Sequence, residues 1–224
     1  MAQKQWTAVD RYITDLLVEN DPVLEDALRD SAAAGLPPIH VSPSQGKLLQ
    51  LLALTKGARS ILEIGTLGGY STIWLARGLP SDGRLVSLEA DPKHADVARS
   101  NISRAGLSGM VEVITGRALD TLPRLAAESR GPFDLIFIDA DKPGYPDYFT
   151  WAVKLSRRGT VIIADNVVRK GAVIDAASTD PLIRGIRRMN DLVAKEPRVS
   201  ATTVQTVGVK GYDGFMIAVV TAGQ

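Results

Sequence analysis

Two short stretches of the chain could hold a hard metal ion and move a proton. Asp139-Ala140-Asp141-Lys142 closes the apolar run Phe133 to Ile138 (FDLIFI), and Asp165-Asn166 closes Gly159 to Ala164 (GTVIIA). Both runs read as buried strands, because a parallel strand covered on two faces is apolar until it emerges. Open α/β sheets bind ligands at that carboxyl edge. Asp139, Asp165 and Asn166 would then share one rim and offer only oxygen donors, which suits magnesium, calcium or manganese. Asp and Asn also favour caps and turns, and for either stretch alone that plainer reading holds. Two such stretches ending adjacent core strands make coincidence the weaker account. Lys142 sits three residues after Asp139. A metal nearby disfavours its ammonium form by like charge, which suits a general base. Without the neighbouring acids, Lys142 reads as a solvated surface lysine.

A second group of residues could hold a nucleoside. Glu63-Ile64-Gly65-Thr66-Leu67-Gly68-Gly69-Tyr70-Ser71 follows one strand and opens a helix. Its glycines allow tight turning and close approach of a ligand to backbone. Leu67 breaks the dinucleotide pattern GxGxxG, and no GxxxxGK[ST] phosphate loop occurs. A turn without a ligand is the plainer reading here. Glu89 ends the next strand, where an acid can accept hydrogen bonds from ribose hydroxyls. Asp91 is better placed than Glu89 to cap the helix that begins at Pro92. The glycine turn and Glu89 together indicate a nucleoside-containing cofactor and leave nicotinamide nucleotides and S-adenosylmethionine both open.

The elements that position these residues follow from periodicity. Residues 6–19 read as a helix with Val9, Ile13, Leu16 and Leu17 on one face. A second helix starts at Pro22, and Gly35-Leu36-Pro37-Pro38 breaks it. Ser42 caps a third helix with Pro43 just inside. From Ile61 strands alternate with helices: strands at Ile61–Gly65, Arg84–Glu89, Val111–Ile114, Phe133–Asp139 and Gly159–Asp165, helices at Pro92–Ala105 and Ala118–Ser129. This alternation predicts a mostly parallel sheet with helices on both faces. Arg157-Arg158 read as a solvated helix end before the fifth strand. A helix from Pro181 to Lys195 follows. Val199–Val207 and Gly214–Val220 close the chain as a hairpin, with Gly208, Gly211 and Asp213-Gly214 between them.

Composition narrows the function. The chain has 224 residues, a net charge of +1, 45% hydrophobic residues and no cysteine. That size fits one domain, with residues 1–57 as N-terminal helices covering the site and 58–224 as the core. No basic run points to nucleic acid or to a membrane surface. The N-terminus lacks the apolar core of a signal peptide, and the absence of cysteine fits a reducing cytoplasm. With only His40 and His94, nothing points to a multi-histidine zinc site within one chain. Both histidines read as structural or exposed, and Trp74 as core.

Taken in order, ILEIGTLGGYSTIWLA, LVSLEADPKHADVA, FDLIFIDADKPGY and GTVIIADNVVRKGAV resemble the cation-dependent, S-adenosylmethionine-dependent O-methyltransferases, the class I group of catechol and caffeoyl-CoA enzymes. The resemblance spans about 41–173, with an echo in GYDGFMIAVV. It implies a Rossmann-like seven-stranded sheet, mostly parallel, with helices on both faces and a reversed last strand. It implies that S-adenosylmethionine meets Val41, Glu63, Gly65, Thr66, Ser71, Glu89, Ala118, Asp139 and Asp141. It further implies that Asp139, Asp165 and Asn166 ligate a divalent cation, magnesium first, and that Lys142 is the base. The acceptor would be a small phenolic molecule with vicinal hydroxyls, and the protein a homodimer. The chain departs from the family's catechol enzymes at position 141, acidic instead of aromatic, and at Lys170. Arg169 and Lys170 are therefore expected to favour an acceptor bearing a carboxylate or phosphate, with a solvated basic loop as the alternative. Two rival functions remain in view: an NAD-dependent oxidoreductase on the same general fold, and a methyltransferase-like binding protein without catalysis.

Overall fold

The computed structural model describes residues 2–223. Three helices come first: α1 (Ala2–Leu17), α2 (Pro22–Ala33) and α3 (Pro43–Lys56). Then β1 (Ser60–Ile64), α4 (Tyr70–Ala76), β2 (Arg84–Glu89), α5 (Pro92–Arg104), β3 (Val111–Thr115), α6 (Ala118–Ala127) and β4 (Phe133–Ile138) alternate. A 3₁₀ turn at Lys142–Gly144 leads into α7 (Tyr145–Lys154), then β5 (Ser156–Ala164), a second 3₁₀ segment (Arg169–Ile174), α8 (Pro181–Lys195), β6 (Val199–Gly208) and β7 (Gly211–Val220).

The strands form one sheet in the order β3-β2-β1-β4-β5-β7-β6. β1 to β5 pair in parallel, and β7 runs antiparallel to both β5 and β6. Side chains alternate across a strand. Leu62, Ile64, Ile136 and Ile138 accordingly pack into one apolar layer, and Ile61, Leu135 and Phe137 into the other. Chain order reverses between β1 and β4, so the crevice at their carboxyl ends is where a ligand belongs.

The helix starts follow their side chains. Asp21, Ser42, Asp91 and Asp180 each cap a helix whose next residue is proline. In α5 it is Asp91 that accepts from the Lys93 and His94 amides, which frees Glu89 for another role. Trp74 is buried, as expected of a core residue. No described helix is long and apolar enough to cross a membrane.

Two local expectations are corrected. Arg157 and Arg158 do not end a helix; they lie inside β5. The strand starts early because its register with β4 shifts between Phe133 and Leu135, where Gly159 adopts φ 89°. Arg157 there pairs with Asp134, a buried acid that also accepts from the Arg59 and Ser60 amides at 2.9 and 3.1 Å. The hairpin turn is also tighter than expected. Gly208 pairs with Gly211, so only Val209 and Lys210 turn the chain, and Asp213-Gly214 lie within β7. Gly214 is needed there for close approach: a Cβ would sit 2.4 Å from the Val204 carbonyl oxygen.

Candidate active site

The glycine turn connects β1 to α4 and lies against the tip of β4. Gly65 has φ 100°, and a Cβ on it would fall 2.1 Å from the Asp139 carbonyl oxygen. Only glycine lets these two strand ends meet. Leu67 and Gly69 also take positive φ, at 51° and 83°. Strain of this kind persists only where surroundings over-determine it. Here Glu89 supplies part of that control. Its Oε2 accepts from the Thr66 and Leu67 amides at 3.2 and 2.8 Å, and its Oε1 from the Asp91 amide at 3.0 Å.

Beyond this turn opens a cavity of about 540 Å³. Val41, Gly65, Thr66, Ser71, Glu89 and Ala118 line it, and Asp139, Asp141 and Lys142 line its far wall. Of the residues expected at the cofactor, Glu63 alone is not on this wall. It lies beneath, fully buried, with Oε1 accepting from Ser71 at 2.6 Å and Oε2 from Thr72 and Ser87 at 2.5 and 2.6 Å. Burial pushes its carboxyl up to about 7, against the pull of those three hydroxyls. Glu63 therefore orients Ser71, which does face the cavity.

The rim is built from the tips of β4 and β5. Lys142 is 7% exposed and donates to Asp139 Oδ1 at 3.0 Å and to the Tyr145 hydroxyl at 2.5 Å, so it is no surface lysine. Asp165 is 4% exposed. Burial, and next the like charge of Asp139, push its carboxyl up to about 7. Its Oδ2 accepts from Gln45 Nε2 at 2.7 Å and its Oδ1 from the Asn166 amide at 2.8 Å. Each oxygen keeps a lone pair. Asn166 takes φ 54°, a left-handed conformation that Asn tolerates better than most residues. Among the described residues no cluster of three or more His, Cys, Asp or Glu is placed for a metal. The rim instead offers two carboxylates and an amide, hard donors that fit a divalent cation and would be relieved of their mutual repulsion by it.

A second cavity, of about 620 Å³, adjoins the first. Asp165, Asn166, Arg169 and Lys170 line it, together with Tyr212 and Phe215 of β7. His40, Val41, Asn166 and Arg169 belong to the walls of both cavities. His40 is thus part of the partition, where burial and then Lys210 depress its imidazole below the ordinary value. Arg169 and Lys170 hold φ of 53° and 56°. Asp213 keeps them there by accepting from the Val168 and Arg169 amides at 3.1 and 2.8 Å. Its carboxylate also lies 3.9 Å from the Arg169 guanidinium, so Arg169 has a partner; Lys170 is exposed.

Four residues that contribute were missed by sequence reasoning. Gln45 clamps Asp165, and its own amide donates to the capping Ser42 at 3.2 Å. Asn101 is buried in α5 and donates to the Gly68 and Ala27 carbonyls at 2.9 and 3.3 Å, tying the glycine turn to α2. Lys210 donates to the Pro38 carbonyl at 3.0 Å and links the hairpin to the partition. Tyr148 lines the first cavity and donates to Asp141. No local pattern marks any of them, since each acts across the fold.

A cavity over a glycine turn, opening at an acidic rim of a doubly wound sheet, is the place and shape for a nucleoside-containing cofactor. Residues 14–218 match the family model described as O-methyltransferase. The chain is 56% identical to a catechol O-methyltransferase of Niastella koreensis, over 98% of this chain and 100% of that one. It is 54% identical to a catechol O-methyltransferase of Mycobacterium tuberculosis, over 95% and 94%. An O-methyltransferase from Bacillus cereus, solved in complex with SAH, superposes with a TM-score of 0.97 at 64% identity, covering 98% of this chain and 100% of that one. The chain belongs to the O-methyltransferase family, and it is an S-adenosylmethionine-dependent O-methyltransferase.

Proposed function

We propose that the protein methylates one hydroxyl of a catechol-type small molecule and depends on a divalent cation, magnesium before calcium or manganese. The observation that carries this reading is the rim between the two cavities: Asp139 and Lys142 line the first, Asp165 lines the second, and Asn166 lines both. Relatives called catechol O-methyltransferases support the acceptor class. The relative solved with SAH supports the first cavity as the cofactor's.

S-adenosylmethionine, when bound, supplies an electrophilic methyl on a sulfonium. Thr66, Ser71 and Asp141 would line its methionine and adenosine ends, and Glu89 would meet the ribose. A cation held by Asp139, Asp165 and Asn166 would supply Lewis acidity and orient two adjacent hydroxyls. Lys142 would take the proton from the reacting hydroxyl at Nζ. Sulfonium and phenolate lose their charges together, so the protein's main task is alignment. Good alignment supplies ~7–11 kcal/mol in well-oriented systems. Turnover of a catechol against the matching monophenol tests the reading. The monophenol should be at least ~100-fold slower, because it cannot chelate; equal rates would remove the vicinal-diol requirement.

Arg169 and Lys170 extend this reading to acceptors bearing a carboxylate or phosphate. Lys170 is exposed on the second cavity's wall and, among the described residues, lacks the acidic partner that Arg169 has. The ratio of kcat/KM for a catechol acid and its neutral amide should fall ~10-fold in Lys170→Ala, the scale of one charge-assisted hydrogen bond. An unchanged ratio removes the idea. A homodimer in the cytoplasm completes the proposal. Its support is α1, which buries none of its residues and exposes Val9, Tyr12, Leu16 and Leu17.

A further inference from the structure

The geometry points to Tyr145 as a positioning residue for Lys142, working against a backstop at Gly185 in α8; this rests on Lys142 being the base. Tyr145 is fully buried, yet its hydroxyl stands at the junction of three groups. It accepts from Lys142 Nζ at 2.5 Å. It lies 2.9 Å from the Asp165 carbonyl oxygen and 3.2 Å from that of Ile138. The Ile138 carbonyl already accepts from the Asp165 amide at 3.0 Å. The single phenolic proton is therefore best used on Asp165, the shorter contact. One hydroxyl thus joins the tip of β5 to the proposed base.

Beyond its stem, Nζ has three tetrahedral directions. Asp139 and Tyr145 take two of them, which fixes where the third points. Without the Tyr145 hydroxyl, Lys142 would keep Asp139 as its one hydrogen-bond partner among the described residues and regain rotation about its long stem. The ring adds a further restraint, with Nζ 4.6 Å from its centroid.

The backbone of Lys142 is fixed from the other side. A Cβ at Gly185 would fall 2.1 Å from the Lys142 carbonyl oxygen and 2.9 Å from Pro143 Cα. Glycine weakens a helix interior, so its presence in α8 is explained by this approach. A methyl there must push the Lys142–Pro143 turn, and Nζ with it, away from the rim.

The test is steady-state kinetics of Tyr145→Phe, Gly185→Ala and Lys142→Met with magnesium, S-adenosylmethionine and a catechol. Cofactor affinity and thermal unfolding are measured alongside. Tyr145→Phe and Gly185→Ala should lower kcat ~10-fold or more and leave both KM values within about twofold, the signature of an interaction used in the transition state. Cofactor affinity should stay at the wild-type value. Wild-type kcat in Tyr145→Phe, with Lys142→Met inactive, would overturn the positioning role alone. Wild-type kcat in Lys142→Met would overturn the base assignment beneath it. Loss of cofactor binding in Tyr145→Phe would assign the hydroxyl to the fold, and the proposal would fall.

Discussion

Glu63 illustrates how a single buried group ties chemistry to stability. Its carboxyl is raised from 4.5 to about 7 by burial. Between those values the folded protein holds a proton that the unfolded chain has released. Its contribution is fully present below pH 4.5 and is lost as pH rises through about 7. The size is on the order of 3 kcal/mol, at about 1.4 kcal/mol per tenfold change in proton affinity. Urea unfolding at pH 5 and pH 8 should show a larger loss in the wild type than in Glu63→Gln. An equal loss in both would remove Glu63 as the source. The sequence marked Glu63 for the cofactor's wall, and the structure puts Ser71 there with Glu63 behind it. Spacing along a strand tells which residue is at the tip; it does not tell which of two neighbours is covered. The place of Lys142 beside Asp139 was legible by contrast, because the acids around it lie in the same short stretch.

At the scale of elements, α3 is where local folding and chemistry meet. Ser42 accepts from the Gln45 amide, and the Gln45 side chain reaches Asp165. Removing the cap by Ser42→Ala should cost ~1 kcal/mol of stability, as lost helix caps do. Gln45→Ala should leave stability within about 1 kcal/mol, the scale of one hydrogen bond, and weaken magnesium binding measured by calorimetry. Unchanged magnesium affinity would mean that Gln45 does not orient the rim. Helix starts were legible because Asp or Ser before proline states them locally. The start of β5 and the hairpin turn were not. A register shift around Gly159 and a two-residue turn at Val209-Lys210 are settled by pairing with β4 and between β6 and β7. Asp213-Gly214 looks like a turn by composition, but Asp213 is spent on the Val168 and Arg169 amides instead.

For the whole molecule, strand order explains why residues far apart in sequence share one rim. The reversal between β1 and β4 brings Gly65 against Asp139, and β5 beside β4 brings Asp165 and Asn166 next to Lys142. The shared rim of Asp139, Asp165 and Asn166 was readable from the alternation of strands and helices; the strand order and the approach of Gly65 to Asp139 were not. The use of α1 was not, since an amphipathic helix does not name what covers it. If α1 joins two copies, sedimentation should give twice the chain mass at micromolar concentration and Leu16→Glu should halve it; a wild-type monomer would contradict the dimer. The account as a whole rests on one dication at the rim. Methyl transfer to a catechol, measured in enzyme stripped of divalent ions and again after magnesium is restored, tests this most directly. The predicted result is no turnover above background, full recovery with magnesium, and no recovery in Asp165→Ala. Wild-type turnover in the stripped enzyme would contradict it.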